Sequence, residues 1–214
     1  MNTSCYNNDS LSQMESARRA MLINSLPGYK PAMLVGTSDK ASIDNLAIVS
    51  SHFHLGSSPA LLGMILRPSS ERSERHTLQN ALASACWTLN SFSIDQAAMA
   101  HQTSAPYPKT VSEFEACHFK PERKADFQAP FVADASLQIG CILREHLPMN
   151  VNGTHILIGE VAYLEFPCCA ERVDGGIDLS KLNLVTISGL DTYATPPAGI
   201  RFAPAQLDLE PRHL

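Results

Sequence analysis

From Ala60 to Leu66 the chain carries no polar side chain, and the run ends at Arg67. Successive side chains on a strand face opposite sides. Leu61, Gly63 and Ile65 therefore point one way, and Leu62, Met64 and Leu66 the other. A strand that is apolar on both faces must be central in a closed barrel, covered by a helix, or covered by another subunit. The arginine at its end then sits at a rim.

The rest of the chain supplies partners for such a strand. Ala32–Thr37 reads as a strand, Ser38-Asp39-Lys40 as a turn, and residues 43–55 as a second extended run. Cys86–Asn90 is a short strand. Ser136–Pro148 and Thr154–Phe166 are two long ones, with Asn152-Gly153 as the hairpin signal between them. The last strand is expected at Leu184–Ile187, and the segment after Ser188-Gly189 reads as irregular. Helices are expected in three places. One is opened by a capping box of Ser12 and Glu15 and ends near Pro27-Gly28, after a disordered first dozen residues. A second begins near His76-Thr77, with Leu78, Leu82 and Ala85 on its inner stripe. Ser93 caps the third, SIDQAAMAHQ, which stops at the polar stretch from Thr103 to Thr110. Residues 111–134 show little periodicity. The economical organisation is a tail and helix over 1–24, one domain over 25–195 that is mainly β with helices, and a C-terminal tail over 196–214. The even run of strands suggests a barrel.

Charge narrows the function. Net charge is −5 and only 17% of residues are charged, which disfavours nucleic acid as a partner. Arg67, Arg72 and Arg75 form a basic group, but Glu71 and Glu74 lie among them, so the group suits one phosphate and not a polyanion. The six cysteines include no CxxC, and the adjacent Cys168-Cys169 has no second pair to complete a zinc site. Reduced thiols and a cytoplasmic location are expected. There is no apolar leader and no run long enough to cross a bilayer, so no membrane partner is expected.

Three groups of residues could carry chemistry. Arg67 ends a strand, and a helix starts at His76-Thr77 soon after it. A helix start offers unpaired N–H groups and partial positive charge, and arginine a fork that matches phosphate. With the Thr77 hydroxyl and donors from Arg75 or His76, these residues suit a phosphate monoester. Equally, Arg67 could pair with a carboxylate and Thr77 could be a plain N-cap. Ser50 and Ser51 followed by Phe53 place hydrogen-bond donors beside a flat apolar surface, as a planar heteroaromatic ring with polar edges requires; a strand ending at a barrel rim reads the same way. His52 and His54 share a strand face, but no carboxylate follows at ligand spacing, and His101, His118, His146 and His155 are scattered, so no metal site is expected. No G-x-G-x-x-G, P-loop or G-x-S-x-G occurs, and Trp87 is expected in the core.

The stretch DNLAIVSSHFHLGSSPALLGMILRP resembles the flavin reductase-like family of FMN-binding split barrels. RHTLQN, WTLNSFS, AHQTSAPYPKTVSEFE, LREHLPMNVNGTHILIGEV and SGLDTY follow in matching order over residues 25–195. The resemblance implies a six-stranded Greek-key split β-barrel that forms a homodimer with FMN near the subunit interface. Carried onto this chain, it implies that Ser50, Ser51, His52 and Phe53 contact the ring. It implies that Arg67, His76 and Thr77 hold the phosphate, with Asn80 one turn further along. It also implies that Gln102, Thr103 and Ser104 close over the flavin, from the same subunit or its partner. Ile48-Val49 stands where many members have Pro-Phe, and Pro59-Ala60 where many have Pro-Pro. The implied activity is transfer of a hydride from NAD(P)H to flavin N5, with no catalytic protein residue required. The alternatives are a flavoredoxin-like electron carrier that meets a redox partner protein, and a non-redox flavin-binding module.

Overall fold

The computed structural model describes residues 2–69, 74–124 and 127–214. Glu71 and Arg72 of the basic group lie outside the described residues.

The N-terminal segment is more ordered in its hydrogen bonding than its composition suggests. A short helix α1 (Asn8–Gln13) is opened by Asn7, whose side chain accepts from Ser10 N–H while Ser10 reaches back to Asn7 N–H. The expected Ser12–Glu15 box does not form. Ser12 bonds Asp9, and Glu15 alone caps α2 (Ser16–Ser25) by accepting from Ala17 and Arg18 N–H. A carboxylate satisfies two helix-start donors better than a hydroxyl three residues upstream can.

Among the described residues twelve strands follow in chain order: β1 (Lys30–Pro31), β2 (Met33–Ser38), β3 (Asp44–Val49), β4 (His52–Ser57), β5 (Ala60–Leu66), β6 (Cys86–Asn90), β7 (Pro121–Glu122), β8 (Phe131–Val132), β9 (Gln138–Pro148), β10 (His155–Glu165), β11 (Thr186–Ser188) and β12 (Thr192–Ala194). Helices α3 (His76–Ser84), α4 (Ala97–Gln102) and α5 (Glu113–Ala116) lie between them. Seven strands make one antiparallel sheet in the order β3-β2-β6-β9-β10-β5-β4. The split barrel expected from sequence is present, with seven strands in its sheet where six were expected. Among the described residues no ladder joins the two edges β3 and β4, so the barrel is split there. The chain crosses that seam through Ser50 and Ser51 alone, since one edge strand ends at Val49 and the other begins at His52.

The curled sheet has two apolar faces. Met33, Val35, Trp87, Leu89, Met64 and Leu157 meet on the inner one, closed by Leu78 and Ala81 of α3. Leu34, Leu46, Phe92, Phe114 and Val185 meet on the outer side of β2 and β3, under α4 and α5. α3 buries Thr77, Leu78, Asn80 and Ala81, whereas Leu82 and Ala85, expected inside, are exposed. Its inner stripe is half polar, and a search for apolar periodicity misplaces it. Gly159 of β10 leaves room for the buried Trp87 ring, which a Cβ there would meet at 2.5 Å. The β9–β10 hairpin turns at Gly153, whose φ of +71° suits the Asn-Gly signal.

β5 departs in part from the sequence expectation. Leu62, Met64 and Leu66 do enter the core. On the opposite face the Phe53 ring lies over Gly63, but Ile65 is 37% exposed. Ile65 stands beside Ile156, which stands beside Leu147, also 37% exposed, giving an apolar row across three strands. Within one chain that face is only partly covered.

Candidate functional site

A cleft of about 430 Å³ opens at the seam of the barrel. β3 supplies Ala47, Ile48 and Val49 to one wall, and Ile65 and Leu66 of β5 supply another. Ser50 and Ser51 bridge the two. Arg67, Arg75, Thr77 and Leu78 give the lining its cationic part, and His101, Ser104, Ile187, Leu190, Tyr193 and Asn24 complete it.

The edge strand β3 shows why the seam stays open. Among the described residues its outward N–H groups have no strand to pair with, and side chains take them instead. Leu46 N–H donates to Glu113 Oε2 at 3.0 Å, and Ile48 N–H to Thr103 Oγ1 at 2.9 Å. The next residue of that parity is Ser50, which lies on the cleft. Glu113 is only 5% exposed, and burial raises its carboxyl pKa against the opposing effects of its backbone hydrogen bonds and the nearby His76.

The cationic part is built by β5 and α3. Among the described residues neither Arg67 nor Arg75 meets a carboxylate within salt-bridge range. Arg75 Nε is buried with no hydrogen-bond partner. Lys30 stands close enough to add its charge. Its ammonium donates to the carbonyls of Asn24 and Gly189 at 3.2 and 3.3 Å, and burial, then the charge of Arg67, lowers its pKa. Thr77 is not the N-cap of α3. Arg75 holds that position and offers no side-chain cap, so among the described residues no side chain caps the first-turn donors beside the two guanidinium groups.

The residues singled out from sequence divide between the cleft and its supports. Ser50, Ser51, Arg67, Thr77 and Ser104 line the cleft together. His52 and Phe53 do not. The register opposes His52 to Met64 on the core side and Phe53 to Gly63 on the outer side. His52 Nδ1 is buried without a partner, and burial lowers the imidazole pKa to about 4. His76 and Asn80 border a separate space of about 10 Å³ with Asp39, Asp44 and Lys109. His76 Nε2 lies 3.5 Å from Glu74. Thr103 is 3% exposed and already engaged, since its hydroxyl also donates to the Ala100 carbonyl at 2.7 Å. Gln102 donates to the Tyr107 hydroxyl at 3.1 Å.

Sequence reasoning passed over Asn24, His101 and Tyr193. The His101 Nδ1 and Tyr193 hydroxyl are 2.9 Å apart, tying the end of α4 to β12 at the mouth of the cleft. Tyr193 sits in β12, where the chain was expected to be irregular, and burial, then the charge of Asp191, raises its pKa. The single signal for it was the SGLDTY segment.

Comparison with known proteins agrees with this architecture. A family described as the flavin reductase like domain matches residues 29–172. A split-barrel protein of Shewanella frigidimarina NCIMB 400 that carries a provisional flavin reductase designation is 41% identical. It superposes with a TM-score of 0.89, over 95% of this chain and 100% of that one. Nitrilotriacetate monooxygenase component B from Bacillus cereus is 18% identical, with a TM-score of 0.82 over 94% of this chain and 100% of its own. Flavoredoxin of Desulfovibrio vulgaris (Miyazaki F) is 19% identical, with a TM-score of 0.68 over 85% and 92% of the two chains. At these lower identities the likeness is one of fold. None of the curated proteins matches. By domain match and by the first of these structures, the chain belongs to the flavin reductase-like domain family and has a flavin-linked redox function.

Proposed function

We propose that the cleft binds FMN and that the protein is an NAD(P)H-dependent flavin reductase. The observation that carries this reading is the cationic part of the cleft. A buried guanidinium Nε without a partner is costly unless a ligand supplies the acceptor. Arg75 presents such a group beside Arg67, which also lacks a carboxylate among the described residues, and beside the start of α3. A terminal phosphate matches this donor set. The cleft volume of about 430 Å³ falls in the range of small-molecule sites, roughly 300–1,000 Å³.

When bound, the flavin ring supplies the redox chemistry by accepting a hydride from a reduced nicotinamide. The chain's residues bind and orient. Arg67, Arg75 and Thr77 would hold the phosphate. Ile48, Val49, Ile65 and Leu66 provide apolar walls that exclude water, and Ser50 and Ser51 offer hydroxyl and backbone groups to the polar ring edge. No protein acid or base is needed for hydride arrival. The apolar row of Ile65, Ile156 and Leu147 supports a homodimer in which a second copy covers that face.

The test is an absorbance and binding study of the purified protein. FMN should bind more tightly than riboflavin, and NADH or NADPH should bleach it. Arg67→Ala should lose FMN while the fold survives. Unchanged FMN affinity in that variant would remove the phosphate assignment. Tight FMN with negligible nicotinamide oxidation would move the protein to the electron carriers.

A further inference from the structure

Thr77 meets the cleft on one side and a buried amide on the other. Thr77 is 7% exposed and stands beside Arg67 and Arg75. Behind it lies Asn45 of β3, also 7% exposed. Asn45 Nδ2 donates to Thr77 Oγ1 at 3.1 Å and to Thr37 Oγ1 at 3.3 Å. Thr37 is fully buried and takes a longer contact, 3.4 Å, from Asn80 Nδ2. The four side chains form a polar layer that joins β2 and β3 to the first turns of α3.

The chemistry of these groups fixes a direction. An amide nitrogen has protons to give and no lone pair to offer, whereas a hydroxyl has one proton and can accept as well. Asn45 occupies Thr77 as an acceptor. Thr77 therefore keeps its own proton, and among the described residues no protein acceptor takes it. Leaving a buried hydroxyl proton unmatched is unfavourable unless a ligand receives it.

We propose that Asn45 is a positioning residue that commits the Thr77 hydroxyl to donate into the cleft, toward the terminal phosphate of a mononucleotide. This rests on reading the cationic part of the cleft as a phosphate site. Asn45 touches no ligand. It acts through Thr77 and gives the site a preference for phosphate-bearing over phosphate-free flavin. An aspartate at this position would reverse the hydrogen bond, since a carboxylate only accepts.

The test measures dissociation constants for FMN and for riboflavin, which lacks the phosphate, by quenching of flavin fluorescence. Thr77→Val should weaken FMN by about 10-fold to 100-fold, the loss of one hydrogen bond to a charged group, and leave riboflavin unchanged. Thr77→Ser should restore FMN binding. Asn45→Asp should match Thr77→Val on FMN, and the double variant should be no worse than either single one. Multiplying losses in the double variant would mean that Asn45→Asp acts by charge repulsion alone, and would overturn the proposal. So would unchanged FMN affinity in Asn45→Asp, or a parallel fall for riboflavin. If Asn45→Asp does not fold, Asn45→Leu serves. It should weaken FMN alone, and this effect should vanish in the Thr77→Val background; an effect that persists there refutes the proposal. Equal affinity of the unaltered protein for FMN and riboflavin would instead remove the phosphate reading on which the proposal stands.

Discussion

Mild acid should act on this fold through His52. The imidazole faces the core opposite Met64, its Nδ1 has no partner, and burial lowers its pKa from 6.5 to about 4. The unfolded chain therefore takes up a proton at pH values where the native state refuses it. The sign follows from linkage: the folded value is depressed, so stability is full above pH 6.5 and is lost as the pH falls toward 4. The loss runs at about 1.4 kcal/mol per pH unit and totals about 3 kcal/mol for this one group. That is a large share of the ~5–15 kcal/mol that holds a typical domain. His52→Leu removes the titrating group and leaves an apolar side chain facing the core. Urea unfolding followed by circular dichroism at several pH values from about 7 to about 4 should show a steep acid slope in the natural sequence. The slope should be shallower in the variant by the amount given. The variant also serves as the control for other titrating groups, which are common to both proteins. Identical slopes would show that His52 is hydrated in solution and would refute the burial argument.

Thr103→Val should leave Ile48 N–H without its acceptor, at a cost of about 1–3 kcal/mol. The melting temperature should fall by about 2–10 °C while FMN affinity holds. A tenfold weaker FMN with unchanged melting would make Thr103 a ligand contact instead. Glu113 has a folded pKa above its unfolded value, so its contribution is full below pH 4.5 and is lost as pH rises through the folded value. Glu113→Gln should thus gain on the natural protein as pH rises from about 4 to about 7 in urea titrations, and a constant difference would contradict this. Gly159→Ala should force the buried Trp87 ring to move and destabilise by about 1–3 kcal/mol. Trp87 is the only tryptophan, so its emission reports the shift directly.

What could be read from the sequence was local. Ala60–Leu66 announced an inner strand, Asn152-Gly153 a hairpin, and Arg67 followed by His76-Thr77 a strand end facing a helix start. What escaped depends on contacts between distant segments. Thr103 and Glu113 reach back 55 and 67 residues to cover the edge of β3, and neither the polar stretch that holds Thr103 nor the aperiodic segment that holds Glu113 advertises that task. Tyr193 joins the cleft only because β11 and β12 fold back beside α4. His52 and Phe53 looked alike as ring contacts, yet adjacent positions on a strand part to opposite faces. Thr77 was legible as a phosphate contact, whereas Asn45 acquires meaning only when β3 meets α3.

The passage of the main chain from one unpaired border of the sheet to the other through Ser50 and Ser51 has a mechanical consequence. A guest held by both walls of that gap replaces a missing ladder and laces the cylinder shut. Its grip and the molecule's resistance to heat are then one quantity, and the melting point should climb with the logarithm of free ligand once the gap is saturated.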